Sequence, residues 1–433
     1  MKLNLSAACW IISFGVFFSV LLTSTYSLAA NQTQIGTGNQ TAIRLSQNSP
    51  LIQSAFELLN NQASQIRDRA LRTATLDAIS NPKTCVQHRI GVTPLKAKLL
   101  ENLSTAGLVD PNDDKTFPGG LITGVFPPLQ QENSNCPQLP QSFVSAPGGS
   151  FGGHHSHPGG LVIHELFNNL SGLSLNSLYR QIYGQHNRNQ LPIVNISKQT
   201  SSDISISDDL IIAAPIWHDW AKAIVLQWNS DGTEFSELNF GGNGKTDNYG
   251  KPGDSKTGAH HIIGIAEAMK RKLSPEFVIT QASAHAAPSL GNEYKVVNWI
   301  RAAAIMAQID PVTAGYLYRD NQSQLCLPPL RRLSDVNLNT AGQTNLLPEY
   351  AIHNLSDADF VLSIPAVTID QEILKAVAPS FGYNPSNVGA YNTNFRNPVL
   401  TYLSAERLFI IYSNQGLKGV QLEINKLRQR KII

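Results

Sequence analysis

The segment DDLIIAAPIWHDWAKAIVLQW, residues 208–228, admits one environment. Around a helix drawn through it, nearly every position from Leu210 to Leu226 is apolar, so the segment belongs inside a fold and is covered on all sides. Only His218, Asp219 and Lys222 interrupt it. A carboxylate left uncompensated in a protein interior costs on the order of several kcal/mol, so Asp219 requires a positive partner. Two solutions are open at this point: a structural ion pair with Lys222 or a neighbouring base, and a metal ion.

Other helical segments carry histidines and carboxylates at wide spacing. In FGGHHSHPGGLVIHELFNNL (151–170), Pro158-Gly159-Gly160 makes a turn into a helix. Val162, Ile163, Leu166, Phe167 and Leu170 form its apolar face, with His164 at the margin. AHHIIGIAEAMKRKL opens on His260 and His261. SPEFVITQASAHAAP has Ser274 as its cap, Pro275 in its first turn and His285 near its far end. WIRAAAIMAQID ends on Asp310, a carboxylate at a helix C-terminus, where the dipole disfavours it. Imidazoles and carboxylates spread over four helices suit one or two divalent ions held between them. Two look-alike motifs fail: HELFN has Asn168 where a zinc protease has its second His, and GGNGKT has Asn239 where a P-loop begins with Gly.

The chain as a whole reads as all-α, since strict two-residue alternation is almost absent. Residues 1–30 carry one Lys, an uncharged apolar run from Ala7 to about Leu22, and then small residues. They predict a secretory signal peptide cleaved near Ala29 or Ala30, a periplasmic or secreted mature protein, and no stable membrane span after cleavage. Residues 31–150 read as a helical lead-in followed by a Pro/Gly-rich wrap, with one helix from Ala55 to Ile79 and another from Thr93 to Leu103. Residues 151–315 hold the chemistry, and 316–433 form a loop-rich, mainly helical C-terminal extension packed on the core. A net charge of +2 with 15% charged residues provides no field for a long nucleic acid. Export allows disulfides; Cys85–Cys136 is one candidate among Cys85, Cys136 and Cys326, and an odd count leaves one thiol free.

The order His164, His218-Asp219, His260, His285, Asp310 resembles the HD-domain metal-dependent phosphohydrolase superfamily. HDWAK at 218–222 resembles its His-Asp-x-Gly-Lys signature, with Ala221 in place of Gly. HHSHPGGLVIH is similar to the His-His-x-x-x-Gly-Gly-Leu-x-x-His stretch of the exoribonuclease-like branch; AHHIIGI and the SAH at 283–285 resemble further pieces of it. Ala284 departs from that branch, which often has a His there, and no nucleic-acid-binding barrel signature precedes the domain.

The resemblance spans about residues 154–310 and implies an HD helical bundle. It implies that His164, His218, Asp219 and Asp310 ligate a first metal and that Asp219 bridges to a second, held by His260 and His285. His261 competes with His260. Lys222 is expected at the substrate phosphate, with Asp219 and Lys222 as the catalytic pair. His155, His157 and His261 are expected near the pocket rim as free imidazoles for proton transfer, and Lys245 on a flexible lid of residues 241–258. The ions are one or two divalent metals; Fe, Mn, Zn, Mg, Ni and Co are not distinguished. The expected activity is hydrolysis of a small phosphate ester, a nucleotide among the candidates. A catalytically silent metal- and nucleotide-binding protein and an HD-fold di-iron oxygenase are the rival classes.

Overall fold

The structure is a computed structural model that describes residues 35–184, 203–289, 291–336 and 345–433. The expected signal peptide lies outside the described residues. The fold is all-α: helices dominate, and the strands form two small antiparallel pairs, Asn239–Phe240 with Thr257–Gly258 and Tyr318–Arg319 with Leu325–Cys326. Among the described residues, no helix is long and apolar enough to cross a membrane.

The Asp208–His218 helix is the axis. Ser207 caps it by accepting from Leu210 N, and every residue from Leu210 to Trp228 is buried. Against it pack Gly160–Tyr183, Pro275–Ala282, Pro348–Ser356, Ala259–Lys270, Arg69–Ser80 and Pro50–Ser64. The helix stops at His218, Asp219 is its C-cap, and a short helix, Lys222–Val225, continues the buried run. Trp217, Trp220 and Trp228 are fully buried, and their indole N–H groups donate to Thr75 Oγ1 at 2.9 Å, Ala78 O at 2.9 Å and Ser145 O at 3.0 Å. The early helices are thereby fastened around the segment that carries Asp219.

The main core runs from Ile52 to Tyr350, so the lead-in helices and the His-bearing helices share one interior. A second core, Ala366 to Leu427, lies between Phe360–Val377 and Ala405–Gln429. The long C-terminal helix begins after Ser404, whose φ is 58° and whose hydroxyl accepts from Arg407 N.

Two expectations change. The single helix expected over Ala55–Ile79 is two, Pro50–Ser64 and Arg69–Ser80. Asp68 caps the second, and both oxygens of Asp209 accept from Arg67 N and Asp68 N, so the break is a built junction with the axial helix. The expected face of the Gly160–Tyr183 helix is split: Val162 is in the main core and Ile163 and Leu166 pack against it, but Phe167 and Leu170 point outward. His164, Glu165, Asn168, Asn169 and Asn176 are buried, whereas Phe167 and Leu170 are exposed. The buried amide nitrogens have partners, Asn169 donating to Ile212 O at 3.0 Å and Asn176 to Asp208 Oδ1 at 2.7 Å, while both amide oxygens are buried without a partner among the described residues.

Cys85 and Cys136 form a disulfide, and Cys326 is free and buried. Beside that disulfide, the buried Glu267 accepts from Gln87 N, His88 N, His88 Nδ1 and Arg271 Nε. Burial opposes its charge, but the His88 hydrogen bond and the nearby Arg271 charge pull its carboxyl down to about 2. A depressed carboxyl stabilises the fold above its unfolded pKa of about 4.3, and this stabilisation is lost as pH falls toward the folded value. Glu267→Gln is therefore expected to cost about 3 kcal/mol at pH 7. In urea unfolding, the gap between wild type and variant narrows below about pH 4; a gap of the same size at pH 3 contradicts this assignment.

Candidate metal centre

Gly159, at φ 84°, turns the chain into the His164 helix. A Cβ on the next residue, Gly160, would stand 1.9 Å from His155 O, so the close approach of loop 148–160 to the helix requires glycine there. Gly148 N donates to the same carbonyl at 2.9 Å, folding the loop's histidines over His164.

Four donor atoms converge at the end of the axial helix. His164 Nε2 stands 3.1 Å from Asp219 Oδ2 and 3.2 Å from Asp357 Oδ1. His218 Nε2 stands 3.5 Å and 3.3 Å from the same two oxygens. Nitrogen and oxygen donors bound about 2.0–2.2 Å from a small divalent ion lie roughly 3.0–3.5 Å from one another, so the set has the spacing of a coordination shell. The other ring nitrogens are already engaged: His164 Nδ1 lies 3.1 Å from Asp359 Oδ1, and His218 Nδ1 donates to Pro215 O at 2.7 Å. Carboxylate or carbonyl partners of this kind leave each Nε2 with its lone pair facing the centre.

Asp219 also turns its second oxygen to another imidazole. Asp219 Oδ1 and His260 Nε2 face each other at 2.9 Å, yet neither atom makes a hydrogen bond. His260 Nδ1 is engaged by Glu237 Oε1 at 2.5 Å. His285 lies beside them, with donor atoms of His218, Asp219 and His285 all within 4.8 Å of one another. Its Nδ1 pairs with Thr257 Oγ1 at 2.8 Å, and its ring stacks on His261 at 4.1 Å. His154 adds a further triad with His164 and Asp219, and His155 one with His164 and Asp359. The donors are nitrogens and carboxylate oxygens, which suit first-row divalent ions.

Charge follows the same plan. Burial opposes ionisation of Asp219, but the charges of His218, Lys222 and His260 hold it well below the usual carboxylate range. Burial likewise opposes charge on His164, yet hydrogen bonds to Asp219, Asp357 and Asp359 lift it well above an ordinary histidine. His218 overcomes its burial through the Asp219, Glu165 and Asp357 charges and is pushed up to about 9. The carboxylates thus hold positive charge in the centre, and a divalent ion is the other species that meets their demand.

Residues of the axial segment and its neighbours occupy the places expected of them in part. His164, His218, Asp219, His260 and His285 gather in one cluster, and His260, not His261, faces Asp219. Lys222 is buried in the cluster, its ammonium bonded to Asp219 Oδ2 and Gly148 O. Asp310 is a correction. It is exposed, and its carboxylate accepts from Val312 N at 3.0 Å and Thr313 N at 2.7 Å, capping the turn that follows. The helix itself has ended at Ala307, with Gln308 left-handed, so Asp310 is not the helix-end carboxylate that the sequence suggested. Asp357 supplies the missing oxygen.

The expected rim is also corrected. His155 is buried with Nε2 on Asp359 Oδ2 at 2.7 Å, so it orients a carboxylate behind His164. His157 is buried with Nδ1 3.2 Å from Pro158 O, and its backbone N–H donates to His155 O at 2.8 Å. His261 is a buried support for His285, its Nε2 3.1 Å from Ala282 O. Lys245 is exposed on a loop that is folded around Asp247, whose oxygens accept from Asn243 N, Gly244 N and Ser255 N.

Asp357 and Asp359 went unread in the sequence, although SDADF places two carboxylates between the apolar stretches YAIHNL and FVLSIP. That isolation was the available signal. Glu165 and His353 were missed as well: neither Glu165 oxygen and neither His353 nitrogen has a hydrogen-bond partner, and both residues are buried beside His218.

No family model, no curated protein and no solved structure matches this chain. His164→Ala, Asp219→Ala and Asp357→Ala are expected to remove bound metal from the purified protein, while Asp310→Ala leaves it unchanged, as read by elemental analysis. Asp359→Asn, which alters the carboxylate shared by His164 and His155 and leaves the four converging donors in place, is expected to weaken metal affinity about 10–100-fold.

Proposed function

We propose that the protein is a metal-dependent phosphohydrolase of the HD type, exported from the cell, that hydrolyses a small phosphate ester. The observation that carries the reading is Asp219, a buried carboxylate offering one oxygen to His164 and His218 and the other to His260. That arrangement suits a pair of ions bridged by one residue. His164, His218, Asp219 and Asp357 would hold one ion; Asp219, His260 and His285 would hold the other. Bound there, such ions supply a water of lowered pKa and positive charge for the phosphoryl oxygens.

The remaining residues hold this arrangement in place. Asp359, Glu237 and Pro215 O fix the rings of His164, His260 and His218. Lys222 is committed to Asp219 and a backbone carbonyl, so its ammonium neutralises the bridging carboxylate and tethers loop 148–160 in the same act. His285 is exposed and His154 half-buried, which marks the side from which a substrate reaches the cluster. The Cys85–Cys136 disulfide supports export, because such bonds persist in oxidising compartments.

The test is phosphate release from a broad panel of phosphate esters by protein loaded in turn with Mn, Fe, Zn, Ni, Co or Mg. Activity is expected with at least one ion, is abolished by a chelator and returns with metal. Asp219→Ala is expected to lower kcat/KM roughly 1,000-fold or more, with the helical circular dichroism retained. Metal-loaded protein that cleaves no ester but binds nucleotides is a binding protein instead, and oxygen uptake with an organic substrate identifies an oxygenase.

A further inference from the structure

One cleft, of about 470 Å³, is lined by none of the donors of the metal centre. Its walls are the end of the Lys96–Thr105 helix, the loop after Phe240, the Glu293–Ala307 helix, and the strand pair Tyr318–Arg319 with Leu325–Cys326. These walls are fastened to one another. Asn298 Nδ2 donates to Asp247 O and to Ser255 Oγ, both at 3.0 Å, and the Tyr249 hydroxyl donates to Leu325 O at 2.9 Å. A concave space of this size, formed before anything enters it, is the usual shape of a small-molecule site.

Two guanidinium groups, Arg301 and Arg319, line this cleft. Both are held by neutral acceptors: Arg301 donates to Asn298 Oδ1 at 2.8 Å and to Ala106 O at 3.3 Å, and Arg319 donates to Ser323 O at 3.0 Å. Among the described residues, neither makes an ion pair with a carboxylate, whereas Arg89, Arg271 and Arg331 each do. Burial lowers the Arg301 guanidinium from its ordinary value, and the nearby Arg319 charge adds to the effect. Asp247 also lines the cleft, but its oxygens are committed to Asn243 N, Gly244 N and Ser255 N. Two like charges thus face one cleft, and no carboxylate of the cleft pairs with either.

We propose that this cleft is a second binding site, one that takes a small ligand through a phosphate or carboxylate group set between Arg301 and Arg319. Each guanidinium keeps N–H donors beyond the bonds it already makes, and its planar fork matches the paired oxygens of such a group. An anion between the two supplies the charge that the cleft's own residues do not, and it turns a repulsion into two charge-assisted contacts. Binding here needs no metal and breaks no bond, so the inference does not rest on the phosphohydrolase reading.

The experiment is calorimetric titration of the full chain with inorganic phosphate and, separately, with succinate, after chelator treatment so that no bound metal contributes. At least one of the two is expected to bind with a Kd of about 1 mM or tighter at low salt, and more weakly as salt rises. Arg319→Gln changes an exposed side chain held by one neutral hydrogen bond, so the fold is expected to survive it. It is expected to weaken binding about 10-fold or more, and Arg301→Gln likewise. Binding of phosphate alone assigns the site to phosphorylated ligands, and binding of succinate alone assigns it to carboxylates. Binding that Arg319→Gln leaves unchanged belongs elsewhere on the molecule and overturns the inference. Absence of binding by both ions at about 20 mM also overturns it. Neither result bears on ester hydrolysis at the metal centre.

Discussion

Asp219 is the constraint around which the rest of the molecule is arranged. Its side chain is 1% exposed at the end of a helix that is otherwise apolar on every side, the most costly place to put a carboxylate. The fold answers with positive or neutral nitrogen from every direction: His164 from one helix, His218 and Lys222 from its own segment, His260 from another. Each of those groups is itself held by a second partner. Remove the demand of Asp219, and there is no reason for the Gly160–Tyr183 helix to bury His164, Glu165 and Asn168 while showing Phe167 to solvent.

What could be read from the sequence was the demand, and what could not was part of its satisfaction. The axial segment announces its own burial, because an unbroken apolar circumference has no other home. His164, His218, His285 and one of His260 and His261 were readable as a set from helix placement. The face of the His164 helix was readable only in part: Val162, Ile163 and Leu166 lie inward as hydrophobicity assigns, but Phe167 and Leu170 do not. That rule is broken here by Asn168 and Asn169, whose amide nitrogens donate to Asp357 Oδ1 and Ile212 O while their amide oxygens are buried without a partner among the described residues. Asp310 misled for a related reason. The dipole argument presumed a helix that reaches it, but Gln308 has already ended the helix, and the carboxylate serves a new turn.

Asp357 and Asp359 show why a site assembled across a whole chain resists reading by motif. They follow a helix that packs on both the His164 helix and the axial helix, some 140 residues after Asp219 in sequence. Their isolation between two apolar stretches is the one local signal, and it does not separate an aspartate that meets two imidazoles from one that caps a turn. The distinction is made by the packing of Pro348–Ser356, which the sequence reading had set apart as an extension. In the structure, Tyr350 belongs to the same core as Ile52, so that helix is as much a part of the site as the one bearing His218.

The outer partners decide how this cluster balances its charge. With Asp359, Glu237 and Pro215 O holding the far nitrogens, His164, His260 and His218 present their Nε2 atoms to the carboxylates. Each of those Nε2 atoms can carry a proton or give its lone pair to an ion, but not both. Protons and metal therefore compete for one position, and either keeps Asp219 and Asp357 compensated. A chain that folds with no ion bound needs the protonated form, because burying the carboxylates bare would cost more than a domain's marginal stability allows. Binding of an ion at such a cluster would exchange one form of positive charge for another among donors that already stand at coordination spacing.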